Sequence, residues 1–139
     1  MFKYSTKSLE RLETCDERLQ FIMHEALKLQ LVDITIIEGH RTLERQQELF
    51  NTVLPDGTRL TQIDGITDIG KHNDNPSRAV DAAPYPIAWN DSGRFCMFAG
   101  LVLSIAKSND IPMRWGGDWD RDFSTLDHNF FDGPHFELM

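Results

Sequence analysis

Two histidines and two aspartates in the second half of the chain have the types and the order that a catalytic metal site needs. His72 precedes Asp81, and Asp132 and His135 follow near the C-terminal end. A catalytic zinc ion takes three protein ligands, commonly two histidines and one carboxylate, and keeps a fourth position for water. Such an ion lowers the pKa of its water from about 15.7 to about 7, and a further carboxylate can then accept the proton. Metal-assisted hydrolysis is therefore one chemistry that these residues could perform.

The spacing of these residues does not by itself decide between a metal site and a structural role. Histidines and aspartates are scattered through most proteins, and a single histidine is more often a core or surface residue than a ligand. In a straight strand, Asp132 and His135 would point to opposite faces. The bend expected at Gly133-Pro134 allows their side chains to converge on one pocket, so both readings stay open at this point.

The composition and charge of the chain argue against several other functions. The 139 residues fit one domain, residues 1–139, and 40% of them are hydrophobic, enough for a core. A net charge of -8 without a Lys/Arg cluster disfavours nucleic-acid binding. The N-terminal residues are polar, and no apolar run approaches the length of about 20 residues that spans a membrane. We therefore expect no signal peptide, no stable membrane association and a monomer made in the cytoplasm.

The first part of the chain predicts two helices and a buried strand. A short helix is expected within Met1–Leu12, with Leu9 and Leu12 facing inward, and Asp16 is a candidate N-cap for a stronger helix. The β-branched run Ile34–Ile37 predicts a strand. The stronger helix has apolar residues at helical spacing: Leu19, Ile22, Met23, Ala26 and Leu27.

The remainder predicts further helices, short strands and a long loop between them. Thr42 would cap a helix that runs to Asn51, and the turn-rich stretch Leu54–Ser77 predicts an irregular segment. Another helix should begin at Asp91 or Ser92, with an apolar face of Phe95, Phe98, Leu101, Val102 and Ile105. Three more strands are predicted, over Arg78–Ala83, Pro112–Trp115 and Pro134–Leu138. This pattern indicates an α+β fold with a small, mainly antiparallel sheet and flanking helices.

The two cysteines carry little information about function. Cys15 and Cys96 are not part of a CxxC pair, and neither lies near the histidine-containing segments. We expect two buried thiols in a reducing compartment, although one disulfide is also compatible with the sequence.

Four segments of the chain, in order, resemble the zinc peptidase family of D-Ala-D-Ala carboxypeptidases and L-alanyl-D-glutamate endopeptidases. Any one of these likenesses is weak, whereas four in the family's order, spanning roughly residues 30 to 139, are specific. The segments are Glu38-Gly39-His40-Arg41-Thr42 with the helix that follows, similar to G-x-R-[ST]; His72 with Ala79-Val80-Asp81, similar to S-x-H-x-x-G-x-A-x-D; Trp115-Gly116-Gly117-Asp118-Trp119; and Asp132-Gly133-Pro134-His135-Phe136-Glu137, similar to D-x-x-H-[FV]-E.

The resemblance implies a role for five residues. It implies His72, Asp81 and His135 as ligands of Zn²⁺ and Asp132 as the catalytic base. It also implies that Arg41 binds the substrate carboxylate or the developing oxyanion, a role that suits a permanently charged guanidinium with two parallel donors. The implied fold is the Hedgehog/D-Ala-D-Ala-peptidase type.

The closest likeness is to single-domain phage endolysins that cut the L-Ala-D-Glu bond of the peptidoglycan stem peptide. It implies host cell lysis as the function, a holin-type partner for release from the host cytoplasm, and action at the cell wall. No separate wall-binding domain is expected. Three alternatives remain: a D-Ala-D-Ala carboxypeptidase with the same zinc site, a non-catalytic zinc-binding module, and a metal-free interaction domain.

The chain departs from the family pattern around the first ligand. Gly70 and Ser77 occupy positions where the family has Ser and Gly, and the loop between His72 and Asp81 is two residues longer. The additional residues introduce Asp74 as a competing ligand, an alternative that we rank below the family set.

Several other residues have both a structural and a functional interpretation. Arg41 could instead pair with Glu38 or Glu44, and Glu137 could either orient a ligand or lie exposed on its strand. Trp115–Trp119 is expected to be a core-packing turn in which Asp118 accepts backbone N–H groups, with a tryptophan lining the pocket as the alternative. Structural roles are expected for three histidines: His24, His40 and, in a loop, His128.

Overall fold

A computed structural model describes residues 1–59, 61, 70–126 and 130–139 of the chain. The described residues form four α-helices, one short 3-10 turn and four strands. The predicted position of His128 lies outside the described residues, as does part of the predicted irregular segment. The helices are α1 (Thr6–Leu12), α2 (Glu17–Lys28), α3 (Leu43–Asn51) and α4 (Ser92–Ser108), and the 3-10 turn covers Lys71–Asn73.

Three of the helices begin where the sequence predicts, because a side chain caps each of them. Asp16, Thr42 and Asp91 accept hydrogen bonds from the backbone N–H groups of the second or third following residues, Arg18, Arg45 and Arg94. These bonds satisfy donors that the first turn of a helix otherwise leaves free.

The prediction for the first helix is half wrong. Leu12 is buried, but Leu9 is 38% exposed, and Ser8 faces inward in its place. Ser8 and Leu12 lie four positions apart and therefore share a face of α1. The Ser8 hydroxyl accepts a hydrogen bond from the backbone N–H of Ile36, which explains a polar residue in the interior.

The four strands form one antiparallel sheet in the order β1-β2-β4-β3, which confirms the predicted α+β class. The strands are β1 (Ile34–Glu38), β2 (Ala79–Pro84), β3 (Met113–Trp115) and β4 (His135–Leu138). The register pairs Asp81 with Glu38 on one side and with His135 on the other. The centre of the sheet therefore brings together side chains from both halves of the chain.

The helices cover the sheet and enclose the core. Helix α4 packs against β2 and β3, α2 packs against α4, and α1 packs against β1. All five predicted inward residues of α2 are buried, whereas Leu101 and Ile105 of α4 are only partly buried. Both cysteines are free thiols: Cys15 is buried, but Cys96 is only half-buried. Within the described ranges, no helix is long and apolar enough to cross a membrane.

Candidate metal centre

The backbone brings His72, Asp81 and His135 to one point from three separate segments. Asp81 lies in β2, His135 begins β4, and the two residues are register partners. His72 lies on the 3-10 turn, which is fastened beside the loop after β1. There the backbone N–H of Arg41 donates to the His72 carbonyl at 2.7 Å, and the Asn73 amide donates to the Arg41 carbonyl at 3.0 Å.

Three atoms of this group lie almost equally far from one another. His72 Nε2 is 3.2 Å from Asp81 Oδ1 and 3.3 Å from His135 Nδ1, and His135 Nδ1 is 3.3 Å from Asp81 Oδ1. Tetrahedral zinc, with bonds of about 2.0–2.2 Å, separates its ligand atoms by about 3.3–3.6 Å. The two imidazole nitrogens and the carboxylate oxygen thus match one face of such a tetrahedron.

The hydrogen bonds of the outer ring nitrogens determine which nitrogens of His72 and His135 carry lone pairs. His72 Nδ1 lies 2.7 Å from the Gly39 carbonyl, and His135 Nε2 lies 2.9 Å from Glu137 Oε1. Because these oxygens accept hydrogen bonds, the outer ring nitrogens carry the protons, and in the neutral rings the inner nitrogens carry lone pairs. Two nitrogen lone pairs and a carboxylate then face one another, an arrangement that could hold a cation between them.

The pKa values of Asp81 and His135 also reflect the need for a positive charge between these side chains. Burial alone would raise the pKa of Asp81, but the charge of His72 and the hydrogen bond from His135 hold that pKa well below its ordinary value. Burial disfavours a charged His135, yet hydrogen bonds to Asp81 and Glu137 outweigh it and raise the pKa of His135 to about 10. A proton therefore occupies the site when no other cation does.

Glu137 is buried and holds the outer side of His135. Its carboxylate also accepts from Arg114 at 2.8 Å and pairs with Lys71 at 3.2 Å. Burial raises the pKa of Glu137, but the hydrogen bonds and charges of His135 and Arg114 bring it down to about 2. The structure thus favours the orienting role for Glu137 over an exposed position. Sequence reasoning did not identify Lys71 or Arg114 as parts of this network.

Asp132 is placed beside the group by a backbone turn. The Asp132 N–H donates to the Gly116 carbonyl at 2.8 Å, the Gly116 N–H donates to the His135 carbonyl at 2.8 Å, and the His135 N–H donates to the Asp132 carbonyl at 3.1 Å. Burial first, and then the charge of Asp81, raise the pKa of the Asp132 carboxyl to about 6. A carboxylate with this pKa can take up and release a proton near neutral pH.

Arg41 follows β1, which flanks β2 on the side away from β4. Its guanidinium donates to Glu38 at 2.7 Å, to Gln46 at 2.8 Å and to Asp81 at 3.5 Å. The predicted pairing with Glu38 is therefore present. Arg41 Nε is buried and has no hydrogen-bond partner among the described residues, so one donor remains for another group.

These residues line a cavity of about 630 Å³. Besides the candidate metal-ligating group of His72, Asp81 and His135, its walls include polar residues of α3 and the aromatic residues Trp89, Trp119 and Phe130. Trp119 belongs to these walls, whereas Trp115 is buried in the core. Arg41 and Asp132 also line this cavity.

Other candidates from the sequence lie outside the group. Asp74 is exposed and does not join the three converging side chains of His72, Asp81 and His135. His24 contacts the ring of Tyr4, and His40 Nδ1 lies 2.9 Å from the Asp74 carbonyl, so both histidines have structural contacts.

Asp118 has the predicted structural role and also belongs to an acidic cluster. It accepts hydrogen bonds from the backbone N–H groups of Asp122 and Phe123 at 3.1 and 2.9 Å. Oxygen atoms of Asp118, Asp120 and Asp122 lie within 4.8 Å of one another. Sequence reasoning missed this cluster, which the alternation of aspartates at positions 118, 120 and 122 could have indicated.

Comparisons with known proteins agree over the whole chain. The profile of the phage L-alanyl-D-glutamate peptidase family matches residues 1–139. The L-alanyl-D-glutamate peptidase of Escherichia phage T5 is 30% identical over 145 residues, which cover 99% of this chain and 98% of that protein. The crystal structure of the Serratia marcescens L-Ala D-Glu endopeptidase ChiX superposes with a TM-score of 0.72 at 26% identity, covering 99% of this chain and 90% of that one.

The turn that carries Asp132 should tolerate no side chain at Gly116. A Cβ atom there would lie 2.2 Å from the Asp132 carbonyl oxygen, a contact that forces the backbone apart. We expect Gly116→Ala to reduce the free energy of unfolding by about 1–3 kcal/mol, measured by urea denaturation. The matched control is Gly100→Ala in α4, where a Cβ meets nothing within 4 Å. This variant should gain about 0.5–1 kcal/mol, and equal effects at the two glycines would contradict the packing described here.

Proposed function

The chain belongs to the phage L-alanyl-D-glutamate peptidase family, and we propose that it cleaves the L-Ala-D-Glu bond of peptidoglycan stem peptides as a zinc endolysin. The observation that carries the zinc proposal is the convergence of His72 Nε2, Asp81 Oδ1 and His135 Nδ1 at 3.2–3.3 Å. In this proposal the three side chains hold the ion. Two imidazoles and one carboxylate favour zinc over calcium or magnesium, which prefer oxygen ligands.

The ion would supply an activated water at neutral pH and would polarise the scissile carbonyl. The role of the protein is to keep the three ligands deprotonated toward the ion and to orient their rings. The Gly39 carbonyl does this for His72, and Glu137 does it for His135. Such supporting hydrogen bonds typically contribute about 10–100-fold to metal affinity.

Asp132 is proposed as the general base and then the general acid. Its carboxylate takes one proton from the attacking water while the water oxygen bonds to the L-Ala carbonyl carbon. The same carboxyl then gives that proton to the departing D-Glu nitrogen as the C–N bond breaks. Burial raises the pKa of this carboxyl above its ordinary value, which suits a group that must hold and release a proton within one turnover.

Arg41 is proposed to bind the negative charge of the substrate. Its Nε donor is buried and has no hydrogen-bond partner among the residues that the structure describes, and its side chain lines the cavity next to Asp81. A carboxylate of the substrate or the developing oxyanion would fill this vacancy with a charge-assisted hydrogen bond. The ion pair with Glu38 would then position the guanidinium rather than replace its function.

The rival functions differ in the products that they predict. A D-Ala-D-Ala carboxypeptidase would use the same zinc site, but the family and the phage T5 relative both carry the L-alanyl-D-glutamate name. Mass spectrometry of digested peptidoglycan separates the two, because new N-terminal D-Glu supports the endopeptidase and free alanine supports the carboxypeptidase. A purely binding module or a metal-free interaction domain would yield neither product.

The setting of the activity is a further part of this proposal. We propose that residues 1–139 act as one monomeric peptidase domain and reach the wall from the host cytoplasm after a holin-type partner opens the membrane. These points rest on the family resemblance.

Asp132→Asn should abolish wall digestion and leave the metal in place. The amide has the same shape as the carboxylate but cannot accept the proton, so kcat should fall by about a hundredfold to ten-thousandfold. Zinc content by elemental analysis should equal that of the wild type. The control is Asp74→Asn, which should retain zinc and activity. Full activity in the Asp132 variant would remove this residue from the mechanism.

His135→Ala should lose both zinc and activity, because it removes one of three ligands. Metal content after dialysis against a trace concentration of zinc measures the loss directly. His24→Ala removes an imidazole that lies outside the group and should keep one zinc per chain. Wild-type zinc content in the His135 variant would refute its role as a ligand.

Arg41→Lys should retain zinc but lower kcat/KM by about tenfold or more, because an ammonium keeps the charge and loses the fork of parallel donors. Steady-state kinetics and urea denaturation should be measured together. If the variant lost stability while its kcat/KM stayed at the wild-type value, Arg41 would be a structural residue only.

A further inference from the structure

Trp89 is an exposed tryptophan that is nevertheless held in one position. It lies in the connection between β2 and α4 and is 64% exposed. Its ring stacks on Phe95 of α4, with ring centroids 6.0 Å apart and planes 27° apart. One face of the indole is thus supported by the core, and the ring lines the same cavity as the metal-ligating group.

The connection itself is fastened at several points. The Arg94 guanidinium donates to the carbonyls of Tyr85 and Pro86, and the Asp91 N–H donates to the Ala88 carbonyl at 3.0 Å. Ile87 packs against the hydrophobic core. A side chain carried by such a connection presents its exposed surface in a fixed direction, which reduces the entropy lost when a ligand binds.

Trp89 and Arg41 lie on different walls of the cavity. Arg41 follows the C-terminal end of β1, and Trp89 follows the C-terminal end of β2. Because β1 and β2 are antiparallel, these ends lie at opposite ends of their ladder. Phe95, the support of Trp89, approaches Gly133 so closely that a Cβ there would meet its ring at 2.9 Å. The aromatic wall therefore adjoins the turn of Asp132, and the cationic wall adjoins Asp81.

The proposed substrate has the same two-sided character around its scissile bond. The amino group of L-Ala in the stem peptide is joined through a lactyl group to an N-acetylmuramyl sugar. The pyranose ring therefore follows within about 7 Å, the reach of about two extended residues. On the other side of the bond, D-Glu carries a free carboxylate. An anionic group on one side and a saccharide on the other match a cationic wall and an aromatic wall.

We propose that Trp89 is a stacking platform for the N-acetylmuramyl sugar on the acyl side of the scissile bond, while Arg41 receives the D-Glu side. This inference rests on the proposed function and deepens it. The C–H groups of a pyranose face are weakly positive and lie well against the electron-rich face of an indole. Trp89 acts as a specificity-determining residue, because it selects stem peptides that are still attached to the glycan strand.

The test compares two substrates that differ only in the sugar: N-acetylmuramyl-L-Ala-D-Glu-diaminopimelate and N-(D-lactyl)-L-Ala-D-Glu-diaminopimelate, which keeps the lactyl group. Trp89→Ala should lose about tenfold more kcat/KM on the muramyl substrate than on the sugar-free one, a factor that corresponds to about 1.4 kcal/mol. Trp89→Phe, which keeps an aromatic face, should restore most of the difference. The matched control is Tyr85→Ala, an exposed aromatic residue of the same connection that does not line the cavity, and it should affect both substrates equally.

Two results would overturn the proposal. Equal losses of Trp89→Ala on both substrates, with a wild type that cleaves both, would reject the platform and leave the peptidase intact. A wild-type protein that prefers the sugar-free substrate would also reject it. If the proposed function itself is wrong, the wild type will cleave neither substrate, so the two failures can be told apart.

Discussion

Three lone pairs that face one another across 3.2–3.3 Å are the constraint on which the rest of the site depends. The inner nitrogens of His72 and His135 cannot turn away, because their outer nitrogens are committed to the Gly39 carbonyl and to Glu137. Repulsion between the lone pairs of these nitrogens and the carboxylate of Asp81 would be costly in a buried position. A cation or a proton must therefore lie between them. The pKa of His135 is raised for the same reason, because its hydrogen bonds to Asp81 and Glu137 favour the protonated ring.

The fold satisfies this constraint because strand pairing and backbone hydrogen bonds hold the segments that carry these side chains in place. The antiparallel register of β2 and β4 opposes Asp81 to His135, and the 3-10 turn is fastened to the loop after β1. Directly after β3, a glycine at position 116 lets the chain approach the Asp132 carbonyl. The charged network of Lys71, Arg114 and Glu137 then holds His135 from behind. Precise ligand positions therefore come from backbone pairing rather than from the loops alone.

Local signals in the sequence predicted most of the architecture. The caps Asp16, Thr42 and Asp91 mark three helix starts because capping involves only near neighbours. The several short strand candidates indicated the sheet. The prediction that Leu9 faces inward was wrong, because a hydrogen bond from a distant strand to Ser8 determines which face of α1 is buried. The four proposed site residues and Arg41 were predicted from ordered motifs, and the structure brings them to one cavity. Lys71, Arg114 and Trp89 become visible only when the fold brings separate segments together.

X-ray absorption spectroscopy of the zinc-loaded protein tests the central claim most directly. If the three facing lone pairs bind the ion, the spectrum should show four nitrogen or oxygen neighbours at about 2.0–2.2 Å, with the multiple scattering of two imidazoles. Substitution of Glu137 by alanine should leave these neighbours in place but weaken zinc binding. A sulfur neighbour at about 2.3 Å would contradict the account, because it would place the ion at a cysteine. Six oxygen neighbours would contradict it as well, because they would place the ion at carboxylates elsewhere.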